Sequence, residues 1–424
     1  MGGLLVGLIL IFAIMGIPIG LALGISSLIM LLLLGDIPLM VISQKMFGGI
    51  DSFPLLAIPF FVLAGDIMNR GGINKRIVRV ANCFFGSIPG SLAIVTVVAS
   101  AFFAAISGSA VATVAAIGGL TIPAMMKQGY PDDYAAAVSS ASSIVGPIIP
   151  PSITLIVYGA ALQLSVSDLF IASIIPGILM SISFIVTSYY IAKKRNYPKQ
   201  EKSTKQEKID SIKDGIAALL MPVIILGGIF SGLFTPTEAS VISVIYALIV
   251  SVFLYKSIKF KDLGNIFAEA AVSTSTIMLI LATSKVLAWL ITVINLPQAI
   301  AGSILGMTDN SFIILLLVNI ILLIVGCLME ANAAIILLIP VLVPIVTSIG
   351  MSTITFGVLM TVNLCLGLLT PPVGASLLLG NDIAGARFEK TVVSAIPFFI
   401  VGLITLMLVT YIPVITLWLP NILK

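Results

Sequence analysis

The chain has 424 residues, of which 59% are hydrophobic and 9% charged, with a mean hydropathy of +1.24 and a net charge of +4. A soluble domain carries about 25% charged residues, so the missing polar faces exclude a large soluble helical protein. Continuous rather than alternating apolar runs exclude a β-barrel. The absence of histidine removes His-based proton relays, most zinc sites and Ser-His catalysis. The basic residues fall between apolar runs, which is not a nucleic-acid pattern. What remains is an all-α polytopic protein of the lipid bilayer.

In chain order, the first expected span is Leu4–Leu34, with Pro18 inside it. No Lys or Arg precedes it, so it reads as a span and not a cleaved signal. Asp36–Ser52 is a semi-polar connector, Phe53–Met68 a span and Arg70–Arg79 a basic loop. Gly90–Ile106 and Ala110–Met126 flank a break at Ser107-Gly108-Ser109. Each is too short to cross comfortably, since about 20 residues are needed, and together they suit a re-entrant hairpin. Pro131–Val145 and Ser152–Leu164 form one crossing broken at Gly146–Pro151, and Asp168–Ala192 is a full span. Lys193–Asp214 is the one long polar stretch and reads as a loop between halves. Gly215–Phe230, Pro236–Tyr255 and Asn265–Ile294 follow as spans. Asn310–Cys327 and Ala333–Thr347 form a second hairpin around Leu328–Asn332, which contains Glu330, Ala331 and Asn332. Thr353–Leu366 and Ala375–Ile383 form a second broken crossing around Gly367–Gly374. Val392–Leu417 is the last span. Cys83, Cys327 and Cys365 sit in apolar surroundings and read as small core residues.

The halves are related. Pro123, Gly129, Gly146, Pro150, Pro151, Gly159 and Pro176 recur as Pro344, Gly350, Gly367, Pro371, Pro372, Gly380 and Pro397, always 221 positions on. Composition alone gives about 0.5 such coincidences in this window. Orientation follows from Lys and Arg. With Lys193–Asp214 set inside, the inner loops hold eighteen of the twenty-one basic residues. Lys45 and Lys424 fall outside, and Lys285 lies within a span. The same trace puts the two hairpin bases on opposite sides, so the repeats are inverted. Each carries a hairpin and a broken helix, the pairing that points to a transporter's binding site.

Broken segments leave backbone groups that the membrane tolerates only around a cavity or inside protein. Free carbonyls with hydroxyls suit a hard cation such as Na⁺, and free N–H groups at helix starts suit a carboxylate. One expected Na⁺ site comprises Ser107, Gly108, Ser109, Gly146 and Pro150. The other comprises Glu330, Ala331, Asn332, Gly367 and Thr370. Ser109, Pro151, Ser152, Asn332, Pro372, Val373 and Gly374 are expected to bind an anionic substrate between them. Packed kinks are the competing structural reading. Glu330 reads equally as a dipole-favoured helix start and as a cation or proton site. Glu238, after Pro236, reads as a cap. Asp66 and Lys285 fall close in repeat register, so an ion pair between them is one reading. Few acids lie deep, which favours Na⁺ over H⁺ coupling. Trp289 and Trp418 read as interface anchors.

Five stretches, Gln44–Met68, Ser107–Met125, Tyr134–Ile153, Gly228–Leu248 and Leu369–Leu379, resemble the large membrane subunit (M subunit, DctM-type) of tripartite ATP-independent periplasmic transporters. The resemblance covers essentially the whole chain. It implies a bacterial inner-membrane transporter that works with a separate small four-helix membrane subunit and a periplasmic substrate-binding protein. It implies Na⁺-driven uptake of an organic acid, C4-dicarboxylate or sialic acid, with no enzymatic activity. It implies an elevator motion of 90–164 and 310–386 against a scaffold of 1–89, 165–309 and 387–424. On the family pattern the hairpin tips fall on Ser107–Ser109 and Glu330–Asn332, and the broken-helix loops on Gly146–Ser152 and Gly367–Gly374. Lys285 has no place in that pattern. The competing readings are a single-component Na⁺/divalent-anion symporter, a channel and a membrane enzyme. The last is disfavoured by the lack of His and of clustered acids.

Overall fold

The computed structural model describes residues 2–35 and 37–423. The expected connector start at Asp36 and the outer charge at Lys424 lie outside the described residues. The described chain is 81% helical and without strands, and nine of its helices are long and apolar enough to cross a membrane.

The first half contains α1 (Gly2–Ile14), α2 (Ile19–Leu34), α3 (Met40–Ile50), α4 (Ala57–Arg70), α5 (Ile73–Phe85) and α6 (Ser91–Ser107). It continues with α7 (Ala110–Thr113), a π-helical turn at Val114–Gly118, α8 (Gly119–Lys127), α9 (Asp132–Ser143), α10 (Ile153–Leu162) and α11 (Val166–Lys194). The second half contains α12 (Lys205–Phe230), α13 (Pro236–Leu248), α14 (Leu263–Val293), α15 (Leu296–Met307) and α16 (Ser311–Leu328). It ends with α17 (Ala331–Ser348), α18 (Thr353–Gly367), α19 (Ala375–Ala384), α20 (Phe388–Tyr411) and α21 (Val414–Leu423).

From α6 onward the helix starts repeat at a shift of 220 to 222, so α6 matches α16, α9 matches α18, α10 matches α19 and α11 matches α20. Contacts between the halves are reciprocal. A Cβ on Gly380 would meet Ala136 O, and a Cβ on Gly357, the repeat mate of Ala136, would meet the Tyr158 ring beside Gly159, the mate of Gly380. The Ser140 hydroxyl donates to Ser376 O at 2.9 Å. With the Ala136–Gly380 approach, it makes α9 and α19 antiparallel.

Hydroxyl caps hold the breaks in place. Ser109 accepts from Ala112 N to start α7, and Ser152 accepts from Leu155 N to start α10. Gly108 ends α6 at φ +59°. A Cβ there would stand 2.7 Å from Pro151 O, so both conformation and space call for glycine. Glu238 caps α13 as expected, in a capping box with Thr235.

Several expectations change. Leu4–Leu34 is not one span. It breaks at Met15–Pro18, with Gly16 at φ +78° and Pro18 at the start of α2. Gly20 and Gly24 lie against Ile280 and Thr283, whereas Gly2 lies against Leu296. So α2 runs along α14 in the same direction, and α1 is its hairpin partner, as α12 is for α13. The connector contains α3. The basic loop is largely α5, whose Ile73, Ile77, Val80 and Ala81 are buried; this apolar stripe at helical spacing lies under a conspicuous basic face. The long polar stretch is helical from Lys205, started by a Thr204–Glu207 capping box. The 295–309 stretch, expected within the scaffold segment 165–309 but not as a span, holds α15. The last span ends at Tyr411, because Pro413 separates α20 from α21.

Two packing groups emerge. α2, α3, α4, α12, α13 and α14 pack among themselves, whereas α11 and α20 pack on each other and on α6, α9 and α18. Thus α11, within 165–309, and α20, within 387–424, pack against the helices that carry the hairpins and the broken crossings.

Candidate functional site

Both hairpin tips meet the broken-helix loops. At the first, the ideal Cβ position of Gly146 has Ser143 O, Ser109 O and Thr113 Oγ1 at 2.9, 3.0 and 3.1 Å. The Thr113 hydroxyl donates to Ser109 O at 2.7 Å and lies 3.4 Å from Ser107 Oγ. A concentration of oxygens with no acid among them suits a monovalent hard cation. Thr113 and Ser143 are additions to the expected set. Thr113 follows Ser109 by one helical turn, and that spacing is the signal that finds it.

At the second tip, Glu330 is the N-cap of α17. Its carboxylate accepts from Asn332 N, Ala333 N and Asn332 Nδ2 at 3.0, 3.3 and 2.6 Å. The capping reading of Glu330 is thus realised. Asn332 is only 6% exposed, and its Oδ1 has no hydrogen-bond partner. A buried acceptor without a donor costs about 1–3 kcal/mol unless something else fills it. Gly367 presses on the hairpin backbone, since a Cβ there would stand 2.4 Å from Gly326 C. Thr370 Oγ1 donates to Gly367 O at 2.8 Å.

One cavity of about 460 Å³ joins the two tips. Gly108, Ser109, Glu330, Ala331, Asn332, Val373 and Gly374, all expected site residues, line it. Ser107, Gly146, Pro150, Pro151, Ser152, Gly367, Thr370 and Pro372 do not line it. Ser152 in particular is fully buried, and its hydroxyl donates to Pro147 O. The far wall is Ile19 of α2 and Thr276, Ile277 and Ile280 of α14. Sequence reasoning missed this wall, although the hydroxyl run Ser273-Thr274-Ser275-Thr276 inside an apolar span is a legible signal.

The Asp66–Lys285 ion pair is not formed. The ion pairs among the described residues are Arg70–Glu269, Arg76–Asp214 and Arg79–Asp214. Trp289 faces Lys45, whose ammonium lies 5.5 Å from the ring centre, and Trp418 is exposed.

Paired hairpins and broken helices around one cavity between two packing groups define a helical membrane transporter fold. Solved structures with this fold include the YdaH transporter of Alcanivorax borkumensis, with TM-score 0.64, 15% identity and coverage of 90% of this chain and 89% of that one. MtrF of Neisseria gonorrhoeae aligns with TM-score 0.62 and 13% identity, over 87% and 83% of the two chains. The family is set by sequence. A model described as "Tripartite ATP-independent periplasmic transporter, DctM component" matches residues 6–415, and the chain belongs to that family. The isethionate TRAP transporter permease protein DctMQ of Oleidesulfovibrio alaskensis is 37% identical over 98% of this chain, which spans only 65% of that relative's length. The sialic acid TRAP transporter large permease protein SiaM of Vibrio cholerae is 39% identical, over 97% of this chain and 96% of its own. The C4-dicarboxylate TRAP transporter large permease protein DctM of Pseudomonas aeruginosa is 38% identical over 94% of each. These relatives are permeases and not enzymes.

Proposed function

We propose that this chain carries out Na⁺-coupled secondary uptake of an organic acid, of the C4-dicarboxylate or sialic acid class, across a bacterial inner membrane. A small four-helix membrane subunit completes the transporter, and a periplasmic binding protein delivers the substrate. The fused name DctMQ of one relative fits a two-part membrane component. The polar stretch 193–214 faces the cytoplasm, as the distribution of Lys and Arg requires, and the two halves lie inverted in the membrane.

The observation that carries the reading is the single cavity walled by both tips, with α14 opposite. Two Na⁺ sites stand behind it, one at Ser107–Ser109, Thr113 and Gly146–Pro150, the other at Glu330–Asn332 and Gly367–Thr370. The helix starts at Ala110 and Ala331 turn positive dipole ends towards a substrate carboxylate between them, although Ala112 N is held by Ser109 and Asn332 N and Ala333 N by Glu330. Na⁺ completes the charge balance, so substrate binds well only when the cations are in place. The hairpins and broken helices then slide as one body along the frame.

Uptake of labelled substrate into proteoliposomes tests this. The vesicles hold this chain and its small subunit, with substrate-loaded binding protein outside and an inward Na⁺ gradient imposed. Accumulation that needs the gradient and the binding protein together is expected. Accumulation by this chain alone contradicts the tripartite reading in favour of a single-component symporter, and accumulation that follows a proton gradient contradicts the Na⁺ assignment.

A further inference from the structure

A second chamber of about 440 Å³ lies along the same seam, and none of the expected sites accounts for it. Gln44, Lys45 and Gly49 of α3, Lys285, Trp289 and Thr292 of α14 and Ile336 of α17 are in its wall. Ala161 of α10 completes the side towards the hairpins. No acid lines it. A neighbouring cavity shares Gly49, Ala161, Lys285 and Ile336, and there Asp51 contributes the one negative charge.

Lys285 lies in the last third of the apolar span α14, eight residues from its end, and is half-buried, with no hydrogen bond or ion pair to another side chain among the described residues. An unpartnered charge at membrane depth is costly and marks function by default. Its stem is seated with care: a Cβ on Gly49 would stand 2.6 and 2.7 Å from Lys285 Cγ and Cβ. Glycine at 49 therefore leaves the slot that holds the lysine in the chamber. Lys45 is placed from the other side, over the ring of Trp289. Two ammonium groups from two helices, with an amide, a hydroxyl and an indole around them, make a site for an anion.

The chamber is in line with the tip cavity. Ile280 of α14 lines the tip cavity, and Lys285 lies about 7.5 Å further along the same helix. On α17 the step from Asn332 to Ile336 is one turn, and on α10 the wall passes from Thr154 to Ala161. In the orientation proposed above, the C-terminal ends of α10 and α14 face outward, so this chamber lies on the outer side of the tip cavity.

We propose that the Lys285–Lys45 chamber is a carboxylate-binding antechamber, which holds the anionic substrate between its arrival from outside and its capture at the hairpin tips. The proposal rests on the organic-acid reading for its occupant. Its charge selectivity does not depend on that reading and can be measured separately.

The test uses Ala161→Cys in a background with Cys83, Cys327 and Cys365 changed to alanine. Purified protein is labelled with an anionic and a cationic methanethiosulfonate of similar size. We expect the anionic reagent to react about fivefold or more faster than the cationic one, as a local positive potential requires. Lys285→Gln, which keeps the stem beside Gly49, is expected to abolish that preference, and Lys285→Arg to retain it. Succinate is expected to slow the anionic labelling more than chloride at equal ionic strength. Equal rates for the two reagents, a preference that survives Lys285→Gln together with Lys45→Gln, or no protection by succinate beyond chloride overturns the antechamber. None of these readouts needs transport. Failure of organic-acid uptake in proteoliposomes would therefore strike the proposed function, whereas loss of charge-selective labelling would strike the antechamber alone.

Discussion

Asn332 is the residue whose environment asks most clearly for a ligand. Its Nδ2 is committed to Glu330, and its Oδ1 is buried with no donor. Asn332→Ala is expected to raise the Na⁺ concentration for half-maximal uptake about tenfold, the equivalent of about 1.4 kcal/mol. A Na⁺ titration of initial uptake rate checks this, and an unchanged midpoint removes Asn332 from the site. Gly367 makes a different demand. Gly367→Ala pushes a methyl into the Gly326 backbone, and fixed backbone does not yield as a flexible side chain does. A loss of about 1–3 kcal/mol is expected, measured as reduced thermal stability of the purified chain. Gly227→Ala, inside α12 with nothing within 4 Å, is the matched control. It is expected to be neutral or to stabilise by about 0.5–1 kcal/mol.

At the scale of elements, the breaks were legible and the amphipathic surface helices were not. Gly, Pro and Ser mark a chain interruption chemically, so Ser107–Ser109, Gly146–Pro151 and Gly367–Gly374 could be placed within a residue or two. α3 and α5 escaped because their apolar stripes are short and their charges read as loop. α1 and α2 were fused because hydropathy registers that a run is apolar and not that it turns back at Gly16 and Pro18. The cavity's far wall escaped for a third reason: which face of α14 meets the tips is set by packing between halves, and nothing local encodes it. α5 itself is fastened by Asp214. Arg76 Nε and Arg79 Nη1 reach Asp214 at 3.1 and 3.3 Å, and the Arg76 guanidinium lies 3.5 Å from the Tyr255 ring centre. Asp214→Ala leaves two arginines without their acid. These groups are partly exposed, so a modest cost of about 1 kcal/mol is expected, read as a lower melting temperature that high salt largely cancels. An unchanged melting temperature at low salt would mean that the buried apolar stripe and the aromatic contact hold α5 without the ion pairs.

In the whole molecule the hairpins, the broken helices, α11 and α20 pack as one body and α2–α4 with α12–α14 as the other. The tip cavity lies between them, and in the proposed function one body carries the substrate along the other. The two halves were legible in the sequence through their shared punctuation, and they meet where Gly380 packs on Ala136 and Gly357 on the ring of Tyr158. The most direct test of relative motion uses Gly65 of α4 and Ser107 of the first tip. A Cβ on Gly65 would stand 3.6 Å from Ser107 Cβ, inside the range a disulfide requires. In the cysteine-free background, Gly65→Cys with Ser107→Cys should cross-link on oxidation. The oxidised transporter is expected to have lost uptake, and reduction is expected to return it to the rate of the Ser107→Cys single variant. Uptake by fully cross-linked protein at that same rate would contradict the account, because the tip would then carry substrate without moving against the frame.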